Sequence, residues 1–388
     1  MIKAEFFIQL VGSAFFLILN IFLVKSGFSD SEIANFISYR FLAVMILAFP
    51  FGIYIKGRPL KPFFITGSVG VPVTAVLIII LVKENYSFLL PTLFVFWGIF
   101  FTMFQVSTLP YIMRNTREKN QSHAISLNYA VHSFSSILSA ILIFSIARTI
   151  PFAQEGEILL LISFVGISSL YFLSKIKVDT VHIKSTKFKW NFYDWSLILK
   201  AVVPTFIIAV GAGLTIPFIN LFFYHSFKID SSIFAIIGGV SSLLVAIFSL
   251  MVPSLKQKLG FKNGIIYSQL LAVVALVLLA STEFFVEYWW ALPIALICYW
   301  LRAPLMNMAA PLTSEMTMKY VGNKNQEMLS AIMAAIWSGS WFFSSQIFRF
   351  LKESGVEYAY IFYITATLYA FGILMYYFLI IDYEKKNI

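Results

Sequence analysis

The chain has 388 residues, of which 60% are hydrophobic, 18% aromatic and only 12% charged. Soluble globular domains carry about a quarter charged residues, so this composition excludes a water-soluble enzyme or binding domain. The net charge of +10 at pH 7 is scattered over short segments between apolar runs, which also excludes nucleic acid as a partner.

Twelve apolar runs of about 18 to 30 residues follow one another along the chain, and about 20 residues of helix cross a bilayer core of about 30 Å. The first run begins directly after Met1–Ala4, without the basic head and cleavage site of a signal peptide, so we expect it to stay in the mature protein. The runs predict an all-α polytopic membrane protein with spans at residues 5–25, 33–55, 63–83, 88–112, 124–147, 157–174, 197–225, 232–255, 263–282, 288–318, 327–351 and 357–381.

Lysine and arginine fall mainly in every second gap between these spans. With the N-terminus placed in the cytoplasm, most of the 28 basic residues lie on the cytoplasmic side. Those in the outer gaps are Lys25, Lys83, Arg148, Lys228, Arg349 and Lys352. Since cytoplasmic loops carry an excess of basic residues, both termini are predicted to be cytoplasmic.

The longest polar segment, residues 175–196, divides the spans into two sets of six. The second and eighth spans begin with similar sequences, Asp30–Ile33 and Asp230–Ile233. Repeats of six spans joined by a polar linker are typical of one class of secondary transporter. We therefore expect an N-terminal half at 1–174, a cytoplasmic linker at 175–196 and a C-terminal half at 197–388.

The second and eighth spans each end in a proline followed by a short basic turn, and at this turn the chain resembles the major facilitator superfamily. The turn of that family reads Gly, three residues, Asp-Arg, one residue, Gly-Arg-Arg or Lys. Gly52 and Lys61 match its first and last members, whereas Lys56 stands in place of the acidic residue and Pro59 in place of the second glycine. In the family the acidic residue stabilises one conformation through a charge relay. Because this chain has Lys56 in its place, the resemblance does not extend that mechanism to this chain.

A second resemblance lies in the tenth span, where Arg302–Pro311 is similar to a pattern of uncharacterised and drug-efflux-like bacterial members of the family. The family resemblance implies twelve transmembrane helices in two pseudo-symmetric halves, alternating access to a small-molecule substrate, and no cofactor. It also implies a protein of the bacterial inner, or plasma, membrane, surrounded by lipid, and we expect a monomer. Spans 1, 4, 7 and 10 line the cavity in this family, and here Pro217 interrupts span 7 while Pro304 and Pro311 lie in span 10.

Two arginines lie inside spans, Arg302 near the centre of the tenth and Arg40 in the second. A cation at that depth costs about 2.5–3.5 kcal/mol on insertion scales, so it should face the bundle interior and have a partner. No Asp or Glu lies at matching depth, and an anionic or carboxylate-bearing substrate held by Arg302, together with Arg40, would balance the charge. Alternatively, backbone carbonyls freed by the prolines bind each guanidinium, or Arg40 extends towards the membrane surface.

Other polar residues on the expected cavity spans, and on span 11, must hydrogen-bond either a ligand or a neighbouring helix. The predicted substrate site therefore also includes Asn20, Gln105, Asn220, Asn307 and Trp337. His132, in the fifth span, is the first candidate for a coupling proton, because histidine changes charge near neutral pH. Glu315 is the second, and coupling through Asp30 or Glu32, anion exchange and uniport stay open.

The sequence has no Cys or His pair at metal-ligand spacing, no phosphate-binding glycine loop and no Ser-His-Asp set outside the bilayer. We therefore predict neither an enzyme nor a metal site. A multidrug or lipophilic-compound exporter is the alternative within transport, since the 42 Phe and 12 Met would suit a permissive cavity as well as lipid-facing surfaces. A transporter-like sensor without flux and an integral membrane enzyme are the alternatives from other classes.

Overall fold

The computed structural model describes residues 1–55, 58–150, 153–176, 193–322 and 325–386. Over these residues every regular element is helical. The helices are α1 (Ile2–Lys25), α2 (Asp30–Tyr54), α3 (Lys61–Lys83), α4 (Leu90–Asn115), α5 (Glu118–Thr149), α6 (Glu155–Gly166), α7 (Ser169–Ser174), α8 (Trp195–Thr215), α9 (Ile219–Phe227), α10 (Ser231–Ser281), α11 (Ala291–Val321), α12 (Gln326–Glu353) and α13 (Tyr358–Lys386).

Polar caps fix where several of these apolar helices begin. The hydroxyl of Ser29 accepts from the backbone N–H of Glu32, and the carboxylate of Glu32 accepts from the backbone N–H of Ser29, which caps α2. At the start of α6 the carboxylate of Glu157 accepts from the backbone N–H of Gln154 at 3.1 Å, and Asp194 accepts from two backbone N–H groups of α8. Each cap satisfies N–H groups that have no partner within the helix.

Ten helical segments of the described chain are long and apolar enough to cross a membrane, judged by length and composition. The prediction of an all-α, multi-pass membrane protein is therefore confirmed, although twelve spans are not. The eighth and ninth predicted spans both fall in α10, where two helices adjoin at a kink, since the backbone leaves helical geometry at Gly260 with φ 67°. The eleventh predicted span coincides with α12, which is not among the ten.

The two spans expected to be irregular behave differently. Span 7 is interrupted as expected, because α8 ends at Thr215, a 3-10 turn follows at Ile216–Phe218, and α9 begins only after it. Pro217 in this turn has no N–H to continue the helical ladder. Helix α11, by contrast, continues through both Pro304 and Pro311, so the tenth span is one unbroken helix.

The described residues form two compact units. The first contains residues 1–176 and 228–239, and the second contains residues 193–227 and 240–386. The predicted cytoplasmic linker, 175–196, lies largely outside the described residues, as does Lys56 of the basic turn. The division into halves at 1–174 and 197–388 therefore stays a prediction.

In each unit one helix packs closely against two others and hydrogen-bonds one of them. In the first unit α1 packs against α5 and α6, and the hydroxyls of Ser135 and Ser139 on α5 donate to backbone carbonyls of α1 at 3.1 and 2.9 Å. In the second unit α8 packs against α12 and α13, and Ser344 donates to the carbonyl of Val210 at 2.7 Å. Small hydroxyl side chains allow close helix approach and add interhelical hydrogen bonds.

Candidate functional site

Arg302 lies inside the second unit, as the sequence predicts for a cation at this depth. Its side chain on α11 is only 4% exposed, and its Nη2 donates to the hydroxyl of Tyr369 on α13 at 2.8 Å. The Nε of Arg302 is buried and has no hydrogen-bond partner among the described residues. A buried donor without an acceptor costs about 1–3 kcal/mol, and more when it is charged.

Tyr369 itself is placed by a close approach between α8 and α13. It is 1% exposed, and a Cβ added at Gly211 would lie 3.1 Å from its ring. The glycine therefore makes room for the ring, which brings the hydroxyl to Arg302. One turn before Arg302 on α11, the buried hydroxyl of Tyr299 hydrogen-bonds Ser241, so a second tyrosine lines this face of the helix.

The structural alternative for Arg302, hydrogen bonding to backbone carbonyls freed by prolines, is not what the structure shows. The hydrogen bond of Arg302 goes to a tyrosine side chain, not to a backbone carbonyl freed by Pro304 or Pro311. In the described part of the chain no carboxylate pairs with this guanidinium. The site thus has a fixed positive charge, one neutral hydroxyl partner and an unused N–H donor, which together suit an oxyanion.

Arg40 lies in the first unit and has different neighbours. The residue is partly buried, and its Cζ is 4.3 Å from the ring centroid of Trp97 and 5.4 Å from that of Phe101, both on α4. A cation over an aromatic face is attracted by the ring quadrupole. The side chain of Arg40 therefore packs on α4.

Two of the predicted amides are buried. Asn20 on α1 is 3% exposed and Asn220 on α9 is 1% exposed. The Oδ1 of Asn220 accepts from the backbone N–H of Leu221 at 2.9 Å, so this amide supports the start of α9 directly after the interruption. Their roles in substrate binding stay predictions.

The other three predicted substrate residues are exposed. Asn307 donates from Nδ2 to the carbonyl of Ala303 in its own helix at 2.9 Å. Gln105 on α4 is exposed, and Trp337 on α12 is 40% exposed. These side chains are thus exposed where that of Arg302 is buried, and a ligand role for them stays a prediction.

His132 lies beside a buried carboxylate that was not among the residues predicted from the sequence. Its Nε2 on α5 is 3.2 Å from Oε1 of Glu5 on α1, and Nε2 of Gln9 is 3.4 Å from the same nitrogen. Glu5 is 1% exposed, and its Oε2 has no hydrogen-bond partner within the described ranges. Glu5 and Gln9 are four residues apart and share one helix face, a spacing that could have indicated the site.

Glu315, the second predicted proton carrier, forms ion pairs. Both of its carboxylate oxygens accept from Nζ of Lys256 at 2.6 Å, and Nζ of Lys319 lies 2.9 Å from Oε1. Both lysine ammonium groups also lie over the ring of Phe261, at 4.9 and 5.3 Å from its centroid. This arrangement favours a structural role, and a coupling role for Glu315 stays a prediction.

Another ion-pair cluster lies in the first unit, where α1 ends. Nζ of Lys25 donates to Glu155 at 2.5 Å and to Asp230 at 2.7 Å, and Ser231 donates to Glu155 at 2.6 Å. Partial burial alone would raise the pKa of Asp230, but the hydrogen bond and charge of Lys25, together with hydrogen bonds from Ser231 and Ser232, outweigh it and hold that pKa below its ordinary value. Neither here nor elsewhere among the described residues do three or more His, Cys, Asp or Glu side chains gather in a way that could hold a metal ion.

The sequence model of the Major Facilitator Superfamily matches residues 4–345. The chain therefore belongs to this superfamily of membrane transporters, which confirms the resemblance drawn from its sequence. It is a multi-pass membrane protein of the transport class, not an enzyme.

Solved transporter structures share the fold. The nucleoside transporter NupG covers 97% of this chain and 98% of its own at a TM-score of 0.78 and 14% identity. The match to a bacterial homologue of the iron transporter ferroportin, in an inward-facing state, covers 97% of both chains at a TM-score of 0.72 and 13% identity. The match to a D-xylose–proton symporter covers 96% of both chains, also at a TM-score of 0.72 and 13% identity. At these identities the likeness extends to the fold alone, and no curated protein matches the sequence.

Proposed function

We propose that the protein is a secondary transporter that moves a small carboxylate-bearing molecule across the bacterial plasma membrane by alternating access. In this proposal the chain crosses the membrane twelve times in two six-helix halves, with both termini cytoplasmic. Arg302 binds the carboxylate of the substrate. Family membership supports the transport class, and the substrate class rests on the surroundings of Arg302.

The observation that carries the proposal is the incomplete hydrogen bonding of Arg302. A guanidinium has five N–H donors, and a side chain that is 4% exposed has little access to water for satisfying them. Tyr369 accepts one hydrogen bond, and Nε has no partner among the residues described. A carboxylate would supply both the negative charge and two acceptor oxygens.

Tyr369 has a positioning role in this proposal. Its hydroxyl accepts from one nitrogen of the guanidinium, and its ring packs against Gly211. A preorganised guanidinium loses less side-chain entropy when a ligand binds. The tyrosine therefore orients the plane of Arg302 without neutralising its charge.

The pair of His132 and Glu5 is the best candidate for the coupling proton. Nε2 of His132 and Oε1 of Glu5 lie 3.2 Å apart, which is close enough for the two atoms to share a proton. A histidine gains or loses that charge near neutral pH. Proton coupling at this pair is therefore part of the proposal, with anion exchange and uniport as the outcomes that would replace it.

The anion site is tested by thermal stability of the detergent-purified protein against small carboxylates, phosphate esters, neutral sugars and lipophilic cations. We expect stabilisation by one class of carboxylate in the wild type and none in Arg302→Gln. Arg302→Lys keeps the charge without the planar fork and should respond weakly. Stabilisation by lipophilic cations that the substitution leaves unchanged would instead support an exporter with a structural Arg302.

Transport and coupling are tested in proteoliposomes with the carboxylate that stabilises the protein. A pH gradient should drive its accumulation in the wild type, whereas His132→Asn and Glu5→Gln should equilibrate the carboxylate without accumulating it. Accumulation that is unchanged in both variants would remove this pair from the coupling mechanism. Binding without any flux would indicate a sensor.

A further inference from the structure

The second arginine within a span, Arg40, is surrounded by rings that cannot satisfy its donors. Its Cζ lies 4.3, 5.4 and 5.7 Å from the ring centroids of Trp97, Phe101 and Phe41. Within the described ranges these rings are the contacts of its guanidinium, and no carboxylate, hydroxyl or carbonyl accepts from it. A ring face attracts the cation, but it does not replace the hydrogen bonds of the N–H groups.

Trp97 contributes a second donor at the same place. Its side chain is 1% exposed, and its Nε1 is buried without a hydrogen-bond partner in the described part of the chain. Phe15 holds the indole from α1, with ring centroids 4.8 Å apart. Buried tryptophan N–H groups usually find an acceptor, so this one is an exception that calls for an explanation.

The backbone fixes the two side chains against each other. A Cβ added at Gly98 would lie 2.5 Å from the carbonyl oxygen of Arg40 and 2.9 Å from Cβ of Ala43. Only a glycine lets α2 approach α4 this closely. Arg40 is thus anchored beside Trp97 by helix packing, and does not rest there through a flexible side chain alone.

We infer that Arg40 and the indole N–H of Trp97 form a second oxyanion site, within the first unit, that takes the carboxylate group of a small molecule. Both side chains offer donors and neither offers an acceptor, which selects an anion. A guanidinium stacked on a ring keeps its edge free for two carboxylate oxygens. The inference does not depend on the proposed function.

Trp97 can report on this site directly, because the chain contains only eight tryptophans. Protein labelled with 5-fluorotryptophan gives a resolvable set of ¹⁹F resonances, and the one absent from Trp97→Phe identifies Trp97. Acetate is the probe, titrated against sodium chloride at equal ionic strength. We expect the Trp97 resonance to shift saturably with acetate and not with chloride.

Matched variants assign the response to Arg40. Arg40→Gln should weaken acetate binding at least about tenfold, since a charge-assisted pair is lost. Arg40→Lys, which keeps the charge over the ring, should bind more weakly than the wild type and provides the test if the glutamine variant does not fold. In Arg302→Gln the shift of the Trp97 resonance should be unchanged, so failure of the proposed function and failure of this site are distinguishable.

The inference would be overturned by a resonance that does not respond to acetate, by an equal response to chloride, or by a response that survives in both Arg40 variants. Loss of the response in Arg302→Gln would likewise place the acetate at Arg302 and leave Arg40 as a packing residue.

Discussion

Arg40 and Arg302 are cations within apolar helices, one in each compact unit, and their environments differ. Arg40 lies against the rings of Trp97 and Phe101, which attract its charge but accept none of its hydrogens. Arg302 lies beside Tyr369, whose hydroxyl accepts one hydrogen bond. Packing can thus hold a cation among apolar helices in more than one way, while the unused donors decide what the cation can bind.

The difference also bears on what each residue does for stability. A cation–π contact contributes about 0.5–2 kcal/mol, and a hydrogen bond contributes about 0.5–1.5 kcal/mol. Neither offsets the burial of a charge by itself. We therefore expect both arginines to bind anions, with the better-buried Arg302 making the tighter site.

The largest expected effect is at Arg302. Arg302→Gln should weaken carboxylate binding about a hundredfold, or about 3 kcal/mol, because the buried charge and the paired N–H donors of the guanidinium are both lost. The measurement is carboxylate-dependent thermal stabilisation, and the unliganded variant serves as its own control for folding. An unliganded protein that is strongly destabilised, yet binds as before, would make the residue structural.

A smaller effect is expected where α2 meets α4. Gly98→Ala should destabilise the protein by about 1–3 kcal/mol, since the added methyl group meets the backbone of Arg40, which cannot rotate away. Gly52→Ala is the matched control, because its Cβ would lie 4.0 Å from the side chain of Val106. Unfolding in detergent with denaturant measures both variants.

Gly211→Ala refines the same comparison in the second unit. There the added Cβ would lie 3.1 Å from the ring of Tyr369, and a side chain yields more readily than a backbone carbonyl. We expect less destabilisation than at Gly98, together with weaker carboxylate binding. Equal destabilisation at both glycines would contradict this account of the two contacts.

The sequence predicted the class of fold because hydropathy and charge act locally. A long apolar run must form a helix in lipid, so spans such as Ile2–Lys25 follow from composition. The interruption of span 7 followed from Pro217, which has no N–H. The continuity of α11 through Pro304 and Pro311 did not follow, because packing by neighbouring helices compensates for lost backbone bonds.

The candidate site was only partly predictable from the sequence. The depth of Arg302 indicated a buried cation, and the absence of a carboxylate at that depth was visible in the sequence. Its partner, Tyr369, lies 67 positions away and depends on how α13 packs. Glu5 was missed for a related reason, since its position near the chain start indicates exposure, whereas contact with α5 buries it.

A test of positioning follows from the single hydrogen bond of Arg302. Tyr369→Phe should destabilise the protein by about 1–3 kcal/mol, because a buried donor of Arg302 loses its acceptor, and should lower carboxylate affinity about tenfold, because the guanidinium is no longer held in one plane. Tyr376→Phe is the control on the same helix. It loses a hydrogen bond to Thr205 at 2.6 Å without touching Arg302, so it should affect stability alone.

The smallest effect is expected at the end of α1, where both partners of an ion pair are partly exposed. The pKa of Asp230 is lower in the folded protein than its ordinary value because of Lys25. This pairing therefore stabilises the protein above the pKa of an unfolded aspartate, about 3.9, and its contribution is lost as the pH falls through the folded pKa. Since Lys25 and Asp230 are 38% and 48% exposed, screening limits the contribution to less than about 1 kcal/mol.

Lys25→Met should lose this slight contribution and, in addition, leave the buried carboxylate of Glu155 without its cation. The part of its effect that comes from Asp230 should be small at pH 7 and should shrink as the pH falls below about 3.9 and Asp230 takes up a proton. Lys83→Met is the matched control, because Lys83 pairs with Glu157 at the neighbouring helix end and does not touch Asp230. Combining each variant with Asp230→Asn separates the two pairs. The effect of Lys25→Met should be smaller in protein that already carries Asp230→Asn, since one of its two partners has gone, whereas that of Lys83→Met should not change.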